Sequence, residues 1–92
     1  MNRSDVIKEV AEANGITRKK AEEIVILIID TMKDTLVSGE KVQITGFGTF
    51  EIKDMAARLG RNPKTNETVE IPAYKKPVFR PSLELKDRVN HT

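Results

Sequence analysis

The sequence contains no cysteine and no tryptophan, one tyrosine and one histidine. Without cysteine there is no disulfide framework, no thiol chemistry and no cysteine-based zinc site. The one histidine, His91, stands next to the C-terminus, so neither a catalytic triad nor a histidine metal cluster is expected. Composition therefore speaks against an enzyme, and no metal, cofactor or small-molecule substrate is indicated. Long apolar runs are also missing. The longest, Ile24 to Ile29, falls far short of the roughly 20 residues a membrane-spanning helix needs. The opening Met-Asn-Arg-Ser-Asp lacks the apolar stretch of a signal peptide. What remains is a chain of 92 residues, 33% charged and 38% hydrophobic, with a mean hydropathy of −0.42. That describes a single water-soluble domain, small for burying a core by itself. Three phenylalanines must supply nearly all of its aromatic packing.

The net charge of +2 is bland, but its distribution is uneven. Residues 1–52 are slightly acidic. Between 53 and 80, Lys53, Arg58, Arg61, Lys64, Lys75, Lys76 and Arg80 face only Asp54, Glu67 and Glu70. A local basic excess is the footprint of a phosphate binder. Taken alone, a solvated loop surface fits it equally well.

The first half reads as two helices. Val6, Ile7, Val10 and Ala11 recur at helical spacing behind a cap at Asn2 or Ser4, and Gly15 ends the segment. Thr17 then caps a second helix, with Ile16 and Ala21 placed as a hydrophobic staple. That helix runs to about Val37 or Ser38, roughly 30 Å. Ala21, Ile24, Val25, Ile28, Met32 and Leu36 form one apolar stripe, and Ile26, Leu27 and Ile29 add a second surface. A helix apolar nearly all round must be buried on more than one side. So short a chain covers it best with a second copy of itself about a two-fold axis. The alternative is a monomer whose sheet covers one side and whose first helix covers the other.

After Gly39 the period changes to two. Lys41–Ile44 and Thr45–Ile52 read as strands joined at a tight glycine turn, and a third strand is expected around Lys75–Arg80. Phe47 and Phe50 are three apart, so burying both requires a bulge or bend near Gly48. Ser82 opens a short last helix, Leu83 to about Val89, and the final three residues, His91 among them, are expected to fray. Residues 53–74 form two strand-like legs around Asn62-Pro63-Lys64-Thr65-Asn66, a turn cluster in which Asn66 accepts a positive φ. Such a ribbon has no core of its own. Legs of about ten residues reach some 33 Å, close to the ~34 Å of one DNA turn. Arg58 and Arg61 flank Gly60, where a twist or bulge would bring both into one groove. An exposed basic ribbon is poor scaffold and a good arm for wrapping nucleic acid.

Gly46-Phe47-Gly48-Thr49-Phe50, Ala56-Ala57-Arg58-Leu59-Gly60-Arg61-Asn62-Pro63, Ile71-Pro72-Ala73 and Pro77-Val78-Phe79 resemble the bacterial HU and integration host factor family. The resemblance spans essentially the whole chain. It implies an α+β fold: a helical body (1–52 and 75–92) whose three-stranded antiparallel sheet extends into a β-ribbon arm (53–74), in an intertwined dimer. The two arms then embrace the DNA minor groove and the tip proline wedges between base pairs; HU and the host factor are themselves type cases of this bending. Positions matching the family's DNA contacts are Arg3, Lys53, Arg58, Arg61, Asn62, Pro63, Lys75, Arg80 and Lys86, and Lys64 adds a cation at the tip. Phe47, Phe50 and Phe79 match the shared aromatic core and, with Ile28, Met32 and Leu36, make the expected dimer core. Three departures stand out. Met55 replaces a usual arm arginine, which predicts one phosphate contact fewer per arm. Asn66 replaces a common turn glycine, and Ser82-Leu83 a frequent Gly-Lys that contacts flanking DNA.

The resemblance implies an architectural protein of the bacterial cytoplasm and nucleoid. It would be a homodimer that binds duplex DNA with low sequence specificity and bends, wraps and compacts it. Two other functions remain. One is a site-specific bender of the host-factor type; the other is a protein-interaction module whose ribbon adds a strand to its partner.

Overall fold

In the computed structural model, which describes residues 1–91, Asn2 caps α1 (Arg3–Asn14). Its side chain accepts from the Asp5 amide at 3.0 Å, and the Asp5 carboxylate accepts from the Asn2 amide at 3.0 Å. This reciprocal box satisfies two donors that a helix start otherwise leaves open. Gly15 takes a left-handed φ of 61° and ends the helix. Thr17 caps α2 (Arg18–Val37) by accepting from the Lys20 amide at 3.1 Å. The two helices close on Ile7, Ala21 and Val25, the buried core, with Val6, Val10, Ala11 and Ile16 packed around it.

β1 (Val42–Ile44), β2 (Gly48–Met55) and β5 (Tyr74–Pro81) form an antiparallel sheet in the order β1-β2-β5. β3 (Arg58–Arg61) and β4 (Thr68–Ile71) form a separate two-stranded ladder. This corrects the expected strand from Thr45 onward. Thr45, Gly46 and Phe47 are a turn, closed by the Phe47 amide donating to the Ile44 carbonyl at 3.0 Å. The bend that brings Phe47 and Phe50 to one side is therefore the turn itself, and of the two only Phe50 lies on a strand. Glycine at 48 is a matter of room. A Cβ there would stand 2.5 Å from the Arg80 carbonyl oxygen and 2.5 Å from the Phe79 ring.

The β2–β5 ladder runs without a break from Gly48↔Pro81 to Met55↔Tyr74. Residues 53–55 and Tyr74, assigned from sequence to the arm, thus continue the body sheet with Lys75 and Lys76. Regular pairing stops at Ala56-Ala57 and Pro72-Ala73 and resumes at Arg58↔Ile71. Pro72 has no amide to offer a ladder.

Ser82 caps α3 (Leu83–Asn90), and its own amide donates to the Phe47 carbonyl at 2.9 Å, fastening the helix to the turn. The expected frayed end is corrected in part: Asn90 is helical, and the His91 amide donates to the Asp87 carbonyl at 3.0 Å. Thr92 lies outside the described residues. The chain measures 58 × 34 × 29 Å.

Candidate nucleic-acid interface

The arm tip is built by Asn62. Its amide donates to the Glu67 carbonyl at 2.9 Å, its carbonyl accepts from the Asn66 amide at 2.7 Å, and its side-chain oxygen accepts from the Lys64 amide at 2.9 Å. Asn66 adopts the expected positive φ, 62°. An asparagine tolerates that region at low cost and leaves the turn free of a bulky side chain. Half-buried Asn62 thus holds the loop in shape, while Pro63 and Lys64 stand exposed at the end. The pyrrolidine ring is presented outward by a turn that does not need its missing N–H.

Behind the tip the register is regular: Arg58↔Ile71, Leu59↔Glu70, Gly60↔Val69 and Arg61↔Thr68. Gly60 is neither bulged nor left-handed, which corrects the expectation of a distortion there. A Cβ at Gly60 would lie 2.8 Å from the Ile71 side chain, so the glycine makes room for that residue. With side chains alternating along a strand, Arg58 and Arg61 leave opposite faces of the ribbon. Each face carries one guanidinium, and a groove that encloses the ribbon meets both.

At the base, alternation along β2 and β5 sorts the cations. Lys53, Lys76 and Arg80 share the face opposite Phe50 and Phe79, whereas Lys75 lies on the phenylalanine side, its Nζ 3.7 Å from Asp54. Lys53 and Lys76 are direct register partners. Like charges directly opposed across a pair of strands are destabilising, unless an anion sits over them. Sequence reading counted Lys76 in the basic patch but did not assign it to the site. Only the pairing register reveals it.

Arg80 donates from Nε to Glu51 at 3.0 Å. The arginine is largely exposed, so the pair is worth at most about 1 kcal/mol and yields readily to a phosphate. Arg80 and Lys86 also line one cleft of about 410 Å³, together with Thr45, Thr49 and Ser82. Arg3 lies elsewhere, on the first turn of α1. It shares a concavity with Arg18, whose guanidinium donates to the Ser4 hydroxyl at 2.6 Å.

The phenylalanines cluster as expected. Phe50 and Phe79 meet in a tilted contact at 4.7 Å between ring centroids, Phe47 and Phe79 at 5.1 Å, and Phe47 and Phe50 at 6.2 Å. Yet in the single chain Phe47 is 43% and Phe79 39% exposed, and Ile28 is 54% exposed. Among the described residues no group of three or more His, Asp or Glu side chains converges to hold a metal ion.

An exposed, cation-bearing ribbon on a small helical body is a nucleic-acid-binding architecture, and comparison with known proteins agrees. The chain belongs to the bacterial DNA-binding protein family, which it matches over residues 1–90. It is 49% identical over 89 residues to the SPbeta prophage-derived DNA-binding protein HU 2 of Bacillus subtilis, covering 97% of each chain. It is 47% identical over 90 residues to the integration host factor subunit alpha of an Anaeromyxobacter species, covering 98% of this chain and 80% of that one. Among solved structures, it superposes on the HU of an Anabaena HU–DNA cocrystal with a TM-score of 0.90 at 38% identity, over 100% of both chains. The fold is the α+β HU fold with its β-arm.

Proposed function

We propose that the protein is a homodimeric architectural DNA-binding protein. It grips duplex DNA in the minor groove with its two arms and bends and compacts it with little sequence preference. The observation that carries this reading is the outer face of the β2–β5 ladder. There, Lys53 and Lys76 oppose each other beside Arg80, and the same ribbon leads to a tip that exposes Pro63. Two lysines paired across a ladder carry a repulsion that a bound phosphate relieves.

Burial supports the dimer. Among the described residues only Ile7, Ala21 and Val25 are buried hydrophobics, while Phe47, Phe79 and Ile28 remain open. A second copy closing over that surface gives the aromatic core its missing side. Tolerant recognition follows from the minor groove, whose acceptor pattern is degenerate, so arm arginines read width and potential more than sequence. Such a protein works in the bacterial cytoplasm, on the nucleoid. The likeness to a host-factor subunit supports site-specific bending as the second reading.

The test is Lys76→Ala. Relief of the opposed charges should raise thermal stability slightly, by about 0.2–1 kcal/mol. DNA affinity should fall, with the log–log salt slope shallower by up to about 1.8 for two lost phosphate contacts per dimer. A variant that binds DNA as wild type would remove this face from the interface.

A further inference from the structure

Tyr74, the one tyrosine of the chain, stands apart from the phenylalanine cluster. It pairs with Met55 on the last rung of the β2–β5 ladder, where regular pairing stops. Alternation along the strands puts both side chains on the face opposite Phe50 and Phe79, one same-face step beyond the Lys53–Lys76 rung. Tyr74 is 44% exposed, and Met55 is half-buried. The outer face of the sheet thus ends in an apolar step, a phenol ring beside a thioether, next to two ammonium groups.

We propose that Met55 and Tyr74 form a stacking platform for an unpaired nucleobase of the bound DNA, whose phosphate rests on Lys53 and Lys76. The lysines decide the occupant. Neither has an ion pair among the described residues. Glu51, the nearest carboxylate inward on this face, is held by Arg80 at 3.0 Å, and Asp54 lies on the other face with Lys75 at 3.7 Å. Two unmatched cations side by side select a phosphate. The apolar step begins two residues further along each strand, ~6.6 Å, comparable with the reach from a nucleotide's phosphate to its base. An intact duplex offers its grooves only base edges and sugars, because each base face is covered by its neighbours. A ring and a polarizable thioether complement a base face. Only a base that has left the stack can present one, and any of the four bases serves, since each has a π-face.

This rests on the DNA-binding reading above, and the experiment separates the two. The probe is a duplex carrying one unpaired thymine. It is compared with the same duplex carrying an abasic residue at that point, and with the intact duplex. The abasic probe is at least as flexible as the thymine probe but has no base to stack. Wild-type protein should bind the thymine probe about fivefold or more tighter than the abasic one. With one tyrosine and no tryptophan in the chain, the protein's fluorescence reports Tyr74, and the thymine probe should quench it more than the other two. Tyr74→Ala should lose the affinity difference while changing the melting temperature and intact-duplex binding little. Tyr74→Phe keeps the ring face and loses the hydroxyl, so it should retain the difference. Iodouracil in place of the unpaired thymine should photo-cross-link to Tyr74 in the wild-type protein. Equal affinity for the thymine and abasic probes overturns the proposal, as does equal quenching by all three duplexes. So does a Tyr74→Ala protein that still tells the probes apart, a Tyr74→Phe protein that does not, or a cross-link confined to another residue. A protein that binds none of the three duplexes overturns the DNA-binding reading, and with it this site.

Discussion

The helical hairpin and the arm are stabilised in opposite ways. In the hairpin, caps at Asn2, Gly15 and Thr17 fix the helix ends, and Ile7, Ala21 and Val25 leave water between them. The arm buries almost nothing: Leu59 is 73% exposed, and the ladder from Arg58 to Arg61 is held by backbone pairing and by the turn around Asn62. A two-stranded ribbon of this kind is marginal in water, so its shape is completed by what it binds. The body is thus specified by burial and the arm by chemistry at its tip. Substitutions should divide accordingly, changing stability in one region and DNA behaviour in the other.

The largest effect belongs to the body. In the proposed dimer, where a second copy covers the phenylalanines, Phe79→Ala should cost on the order of 3–5 kcal/mol. The melting temperature should fall steeply and become more dependent on protein concentration. An undisturbed melt would show that the half-open cluster is not part of a core. Next comes Pro63→Ala at the arm tip, which changes no charge and no hydrogen bond. Its salt slope should match wild type, while its bend of an intact duplex, followed by energy transfer between labelled ends, should shrink. On nicked or gapped DNA, where a few kcal/mol of unstacking is already absent, binding should be nearly normal. A wild-type bend from the variant would reduce Pro63 to a turn residue.

Arg61→Ala sharpens the contrast further. It should weaken binding to every duplex and flatten the salt slope by up to about 1.8 units, with no change in melting temperature. A shift in the melt would mean that the arm contributes to the folded body. The smallest effect is Asn2→Ala, which removes the α1 cap. About 1 kcal/mol of stability should go, seen in the denaturant midpoint, with the salt slope unaltered.

Much of this division is legible in the sequence because its signals are local. Capping residues, helical spacing and the Asn62–Asn66 turn cluster each act within a few residues of themselves, and the structure places all of them as read. The arm tip is legible for the same reason. What escapes is whatever depends on register. That Arg58 and Arg61 leave opposite faces follows from unbroken pairing through Gly60. That Lys75 turns toward the phenylalanine side while Lys76 faces Lys53 is fixed by which residue of β5 meets which of β2. A one-residue slip would exchange these roles, and nothing near those residues in the chain says which register is chosen. The turn at Thr45–Phe47 escapes for a related reason. Glycines on both sides of Phe47 read equally well as strand and as turn, and the close approach of Phe79 and Arg80 to Gly48 decides between them.

The gap in the ladder has a mechanical consequence. Between Met55↔Tyr74 and Arg58↔Ile71 the two legs run side by side without regular pairing, and Pro72 can add no rung. Torque applied at the tip by stiff DNA springing back is absorbed at this joint before it reaches β2 and β5. Under load the outer ladder should swing or peel before the body sheet does, so in the proposed dimer the two arms should let go separately. A stretched DNA molecule should therefore lose its bends in small separate steps, and a slack one should regain them without the protein having to refold.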